Sequence, residues 1–304
     1  MIHGYYQNNL EEREKETIWM VNKGYIMSPS ELVTYATCLI QCVNNKNNTM
    51  SSGTGFIMHL CIKDDLCIPV LITNKHVIKD ADTCLFSICK KNPDGSPNNL
   101  EIVNIFAPDM TAWVPHPNPN TDLCCLPIGE AIRDLEVRGI QLFYAPLATN
   151  LLPTDEDIKT FSALEEVVMV GYPRALADKY NHKPLMRRGI TATDIKNNYE
   201  GRSEFVVDMA CFPGSSGSPV FILNEGLYAM GGSAFAGNRV KFLGVLYAGP
   251  MFNAKGEIML SNTPEAKNTS TAIPMNLGFV IKSSEILAFE PLLYEALKKT
   301  QSNV

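Results

Sequence analysis

Between residues 33 and 282 the apolar residues come in short runs that Gly, Pro, Asn and Asp keep breaking: VTYATCLIQCV, GTGFIMHL, CIPVLIT, TCLFSICK, EIVNIF, DLCCLPI, EEVVMVGYP, EFVVDMA, SPVFIL, KFLGVLYAG and LGFVI. The runs are rich in β-branched and aromatic side chains, which predicts strands, and so many short strands predict an all-β sandwich or pair of barrels. The series is interrupted over 130–165, which is mixed, acidic and turn-rich and so joins two halves. After 283 the period changes. Ile286, Leu287, Phe289, Leu293 and Leu297 recur at helical spacing behind a polar start, Ser283-Ser284-Glu285, and predict a closing amphipathic helix. Residues 5–22 are rich in Glu and Lys and read as a helix or a flexible lead-in. The expected division is an N-terminal extension over 1–32, a first β unit over 33–150, a second over 151–282 and a C-terminal helix over 283–304.

Composition narrows the possible partners. The 304 residues are 45% hydrophobic and 19% charged, ordinary values for a chain with a sizeable core. Lys and Arg number 26 against 32 Asp and Glu, with no basic cluster, so the surface needed to neutralise phosphates is missing and nucleic acid is not expected as a partner. No apolar stretch is long enough to span a bilayer, so no membrane is expected. The first thirty residues carry Glu11, Glu12, Glu14 and Glu16 where a secretory signal would be basic and apolar, so the expected compartment is the cytoplasm. The nine cysteines form no C-x-x-C pair and the histidines number five, which supports neither a structural metal site nor a redox motif, and no cofactor is expected. Cys38 and Cys42 read as small core hydrophobes, and a cytoplasmic chain is not expected to form disulfides.

The strongest chemical signal is Phe212-Pro213-Gly214-Ser215-Ser216-Gly217-Ser218-Pro219-Val220, a glycine-bounded turn leading into a strand. By itself it reads more readily as a simple hairpin turn. A nucleophilic serine needs small neighbours so that backbone amides can approach the reacting carbonyl, and Gly214 and Gly217 flank Ser216 suitably. Serine also needs a base, and the base needs a carboxylate to hold its tautomer. Of the histidines, His3 lies in the lead-in, His116 and His182 read as surface residues, and His59 falls inside a strand. His76 follows the run IPVLIT and opens a short turn, where site residues on a rigid scaffold lie. Asp122 borders the apolar run Leu-Cys-Cys-Leu, whereas the other aspartates weighed against it sit in polar or turn-like surroundings.

These pieces resemble the chymotrypsin/trypsin-like serine peptidases, in particular the bacterial branch that includes the high-temperature-requirement proteases. The matching segments are Gly53-Thr54-Gly55-Phe56, Leu71-Ile72-Thr73-Asn74-Lys75-His76-Val77, Asp122-Leu123, Val170-Gly171-Tyr172-Pro173, Arg188-Gly189-Ile190, Asp208-Met209-Ala210 and Pro213 to Val220, in the family's order. The resemblance implies two antiparallel six-stranded barrels with His76, Asp122 and Ser216 in the cleft between them. It implies an oxyanion hole made by the Gly214 and Ser216 amides and a substrate-pairing edge at Tyr247, Ala248 and Gly249. It also implies a primary pocket lined by Met209, Ala210, Cys211, Gly278 and Phe279. Ala210 stands where members that cut after Lys or Arg carry aspartate, which points to a small or medium apolar side chain before the scissile bond. Ser218 departs from the commoner glycine. The implied activity is a serine endopeptidase acting on a protein or peptide through an acyl-enzyme, with an activating or substrate-delivering protein as the candidate partner. The alternative is a catalytically silent peptide-binding module of a regulatory or defence system.

Overall fold

The computed structural model describes residues 27–63, 66–258 and 267–302. Most of the N-terminal extension, including His3, therefore lies outside the described residues. The described chain opens with helix α1, Pro29–Ala36. Ser28 caps it and Glu31 completes the reciprocal box, with Pro29 at the first turn. This capping chemistry shifts the first strand from the expected residue 33 to 37.

The first β unit comprises β1 (Thr37–Asn44), β2 (Thr49–Lys63), β3 (Leu66–Thr73), helix α2 (Lys75–Ile78), β4 (Thr83–Lys91), β5 (Pro97–Ala107), β6 (Val114–Pro115), β7 (Cys124–Pro127), helix α3 (Gly129–Val137), β8 (Leu142–Phe143) and β9 (Leu147–Ala148). It is a nine-stranded sheet in the order β5-β4-β1-β2-β3-β7-β6, with β8 on β4 and β9 on β2. The six-stranded closed barrel expected for this half is not formed among the described residues. From β5 the chain reaches the two-residue β6 through a 3-10 turn, Met110–Ala112. Met110, Trp113, Ile132 and Leu135 pack on the interior with Cys42, Cys84 and Phe86. Apolar side chains rather than ladder hydrogen bonds thus close that side. Alternation sets the inward face, as in β1, where Cys38, Ile40 and Cys42 are buried at every second position.

Helix α4 (Asp155–Thr160) leads into the second unit, with β10 (Glu166–Gly171), β11 (Leu185–Thr191), β12 (Glu204–Asp208), β13 (Pro219–Asn224), β14 (Leu227–Met230), β15 (Ser233–Ala236), β16 (Arg239–Ala248), β17 (Met251–Ile258), β18 (Lys267–Pro274) and β19 (Leu277–Lys282). Six of these strands form a closed barrel, β10-β11-β12-β19-β16-β13, while β14–β15 and β17–β18 are separate two-stranded hairpins. At one end of the barrel Arg239 grips Glu165 through two hydrogen bonds of 3.1 Å, with both side chains almost wholly buried. A 3-10 turn, Ser283–Ala288, and helix α5 (Phe289–Ser302) close the chain. Ile286, Phe289 and Leu293 enter a core shared by the two units, with Phe56, Met58 and Ile72 from the first and Phe221, Phe242 and Val245 from the second. Leu287, placed on the apolar stripe by spacing, is exposed.

Cys38, Cys42, Cys84, Cys89, Cys124, Cys125 and Cys211 carry free thiols, and Cys67 takes part in a disulfide, against the expectation of a chain without one. Cys67 stands opposite Cys61 in the β2–β3 register, a juxtaposition that spacing along the chain does not reveal. No helix among the described residues is long and apolar enough to cross a membrane.

Candidate active site

His76 sits in α2, a single turn entered directly from the end of β3. Asp122 lies in the loop two residues before β7. β7 pairs with β3 as Thr73↔Cys124, so the ladder brings the carboxylate and the imidazole to the same end of the sheet. The fully buried Asn74 donates from Nδ2 to the Asp122 carbonyl at 2.7 Å, and Lys75 Nζ donates to the Pro119 carbonyl at 2.8 Å. Asp122 then holds His76 twice. Oδ1 accepts from the His76 backbone amide at 3.1 Å, and Oδ2 makes a short contact with Nδ1. Of the two side chains, His76 is 44% exposed and Asp122 24%. A carboxylate on Nδ1 fixes the ring and leaves the lone pair on Nε2.

Ser216 lies in the turn before β13 and comes from the other unit. Its backbone is tied across the interface: the Thr54 amide donates to the Ser216 carbonyl at 2.9 Å, and the Thr73 hydroxyl donates to the Thr54 carbonyl at 2.7 Å. Gly217, at φ 85°, presses against that carbonyl, and a Cβ there would also lie 2.6 Å from Thr73 Oγ1. Only glycine fits this left-handed, crowded position. The turn therefore sits on Thr54 of β2, braced by Thr73 of β3, the strand that ends three residues before His76. The Ser216 hydroxyl donates to the Tyr247 carbonyl at 3.2 Å rather than to the imidazole. The structure thus joins His76 to Asp122, while the Ser216 hydroxyl rests on β16.

The Gly214 and Ser216 amides have no acceptor among the described residues, whereas the intervening Ser215 amide donates to Phe212 at 2.9 Å. Two free donors therefore flank the nucleophile candidate, the arrangement an oxyanion requires. Thr54 fixes them, although in the sequence it stands out only as part of the Gly53-Thr54-Gly55-Phe56 segment. It is fully buried, donates from Oγ1 to the Gly214 carbonyl at 3.0 Å and accepts from the Tyr172 amide at 2.9 Å. Arg174 adds a second tie, its amide donating to the Pro213 carbonyl at 2.6 Å, from a backbone held at φ 51°. The flanking glycines of Gly53-Thr54-Gly55 were the available signal for Thr54. Arg174 offers none, since neither it nor Ala175 is of a residue type that favours positive φ.

Met209 and Cys211 point into the barrel with Val207, Leu246 and Val280. Gly278 closes on this group, since a Cβ there would lie 2.7 Å from Cys211 Sγ and 2.6 Å from Leu246 Cδ1. Burial pushes the Cys211 thiol up to about 11. Ala210 is exposed, and its carbonyl accepts from the Arg187 guanidinium. Phe279, the next residue along β19, faces the other way and packs between Tyr199 and Tyr247, with ring centroids 5.9 and 6.2 Å away. Tyr247 donates from its hydroxyl to Glu204 at 2.9 Å, and burial ahead of that carboxylate raises it to about 12. Ala248 is half-buried and Gly249 exposed at the end of β16.

The remaining histidines have other surroundings. His116, expected at the surface, is buried, with Nε2 3.1 Å from the Glu285 carbonyl and its ring edge-on to Phe289 at 5.5 Å. The C-terminal helix covers it, a contact across the sequence that the local PHPNP pattern cannot announce. Apart from the candidate site, a cavity of about 340 Å³ lies between β1, β4 and the 172–183 segment, lined by Tyr35, Cys89, Asn99, Phe143, Tyr172 and Lys183. Lys183 Nζ stands 2.8 Å from the Tyr35 ring centroid, and burial lowers its pKa to about 8. Among the described residues no cluster suited to a metal ion occurs.

The chain belongs to the trypsin-like peptidase domain family, whose model matches residues 53–230, more than half of its length. No curated protein sequence matches it. Among solved structures it is similar to the Rv3671c protease from M. tuberculosis in its active form, at 15% identity over 85% of this chain and 84% of that one, with a TM-score of 0.40.

Proposed function

We propose that this protein is a serine endopeptidase in which Ser216 is the nucleophile, His76 the general base and acid, and Asp122 the group that orients His76. The observation that carries this reading is the double hold of Asp122 on the backbone and ring of His76, together with a serine turn, tied to Thr54, whose Gly214 and Ser216 amides have no acceptor among the described residues. On binding an extended peptide, the Ser216 hydroxyl leaves the Tyr247 carbonyl and donates to Nε2, an alignment that apo sites commonly lack. Oγ then attacks the scissile carbonyl carbon as its proton passes to Nε2, and the developing oxyanion is held by the Gly214 and Ser216 amides. Collapse breaks the C–N bond, and the imidazolium returns the proton to the leaving amine. Water, deprotonated by Nε2, cleaves the acyl-Ser216 ester in the same way.

The substrate is a protein or peptide, paired along Tyr247–Gly249, and the apolar surroundings of Met209, Cys211 and Gly278 favour an apolar side chain before the cleaved bond. Such a side chain gains about 25 cal/mol for each Å² it buries, while Met209, Cys211 and Gly278 offer a cation no charged partner of their own. A second reading, a peptide-binding module without turnover, draws on the hydroxyl of Ser216 resting on Tyr247.

A fluorophosphonate probe separates the two. Endopeptidase chemistry requires covalent labelling of Ser216, detected as a mass shift on its peptide, and loss of that labelling in His76→Ala. An unlabelled wild-type chain, or labelling indifferent to His76→Ala, contradicts the mechanism.

A further inference from the structure

The open edge at the end of β16 does not stop at Gly249. On one side, β16 pairs with β13 only as far as Pro219↔Val245, after which Leu246 bonds the serine turn and Tyr247 to Gly249 have no strand partner on that side among the described residues. On its other side it pairs with β19 up to Ala248↔Phe279. The chain continues through Gly249-Pro250 into β17, whose one partner among the described residues is β18, in a register running from Met251↔Pro274 to Ile258↔Lys267. The Met275 amide bonds the Pro250 carbonyl at 3.1 Å, so the junction between the two ladders remains bridged. Since β18 leads directly into β19, both partners lie on one side of the continuous β16–β17 run. The unpaired edge of β17 is therefore the prolongation of the unpaired edge at Tyr247–Gly249.

This ribbon lacks a core of its own. Met251, Phe252, Ile273 and Met275 are 46–58% exposed at its base, and Phe252 stands opposite Ile273 in the register. Two strands alone are marginal in water, whereas a third strand supplies the missing hydrogen bonds and covers apolar side chains. An unpaired strand is a template for an extended chain.

We propose that β17 extends the substrate-pairing edge, so that an extended polypeptide lies antiparallel along Tyr247–Gly249 and then along Met251–Ile258. The segment upstream of the scissile bond, well beyond the residues nearest Ser216, would pair with β17 and set an apolar side chain against Phe252 and Ile273. This rests on the endopeptidase reading and adds to it a requirement for long, unfolded chains as substrates.

The test compares two acetylated chloromethyl ketones that place valine next to the reactive carbon, Thr-Ala-Val and (Thr-Ala)4-Val, on the full chain. The expected ratio of second-order inactivation rates, long over short, is about 10 or more. Replacing residues 252–273 by Gly-Asn-Gly brings the ratio to about 1, and the milder double change Phe252→Ser with Ile273→Ser lowers it at least about threefold. The ratio cancels any change common to both probes. A wild-type ratio near 1, a ratio that survives shortening, or reaction with neither ketone in a chain whose Ser216 takes up fluorophosphonate overturns the extension alone. A chain that reacts with none of the three probes overturns the endopeptidase reading together with it.

Discussion

Replacing Thr54 by valine keeps the shape of a fully buried side chain and removes one oxygen. That oxygen serves two backbone partners, the Gly214 carbonyl at 3.0 Å and the Tyr172 amide at 2.9 Å, and both lose it in Thr54→Val. A buried group left without its partner costs about 1–3 kcal/mol, so two such groups cost about 2–6 kcal/mol. The added methyl returns about 0.8 kcal/mol, which leaves a net loss of about 1–5 kcal/mol. Part of that loss falls on the site, because Gly214 carries one of the two free amides. Losing one donor of such a pair costs about 10²–10³ in turnover, and a displaced donor costs up to that amount. Urea unfolding gives the stability term. The rate of Ser216 labelling at a temperature where the variant stays folded gives the other. Thr73→Val removes a single bond to the same residue and serves as the smaller comparison. If Thr54→Val unfolds within 0.5 kcal/mol of wild type, a value below the range of about 1–5 kcal/mol, and labels at the same rate, the bridging role of Thr54 is wrong.

Asp122→Asn retains the shape of the hold on His76 but favours the wrong imidazole tautomer, so kcat falls about 10⁴-fold with little change in unfolding free energy; equal losses in stability would mark Asp122 as structural. Glu165→Leu leaves the buried Arg239 unpaired and costs about 3–5 kcal/mol by urea unfolding, since desolvated pairs are expensive to break from one side. For Lys183 the unfolded chain binds more protons than the folded one between its folded value near 8 and its ordinary value of 10.5. Stability from this group therefore rises with pH across that window, while below it the penalty is present in full. Lys183→Met removes the rise, and the difference between the two unfolding curves is about 1 kcal/mol once screening by the solvent that reaches Nζ is allowed for. Ser218→Ala removes a fully buried hydroxyl that has no hydrogen-bond partner among the described residues, so it raises stability by about 1 kcal/mol in thermal or urea unfolding.

Much of the fold was legible because its cause is local. Alternation of buried residues such as Cys38, Ile40 and Cys42 marks β1, and the three-and-four spacing of Ile286, Phe289 and Leu293 marks the end of the chain. The start of β1 was misplaced because Ser28-Pro29-Ser30-Glu31 is a cap, whose signal outweighs the β-branched residues after it. Closure of the first unit was not legible either, since it depends on whether β5 and β6 pair, and Trp113 and Ile132 fill that side instead. The contact between His76 and Asp122 was legible from the patterns flanking each residue, and Ser216 is a candidate on its turn chemistry. Thr54 and Arg174 act through backbone groups far away in the chain, and the burial of His116 depends on a helix some 170 residues later, which no local window contains.

That last contact bears on the order in which the molecule is made. The His116 amide bonds the Leu123 carbonyl, and β6 pairs with β7, so the segment carrying Asp122 is braced by His116, and His116 by Glu285 and Phe289. A ribosome reaches those two residues only after the strands of both β units have been made. A nascent chain would hold Asp122 on an unfinished support until Glu285 and Phe289 emerge, so the first unit waits on residues that follow the second.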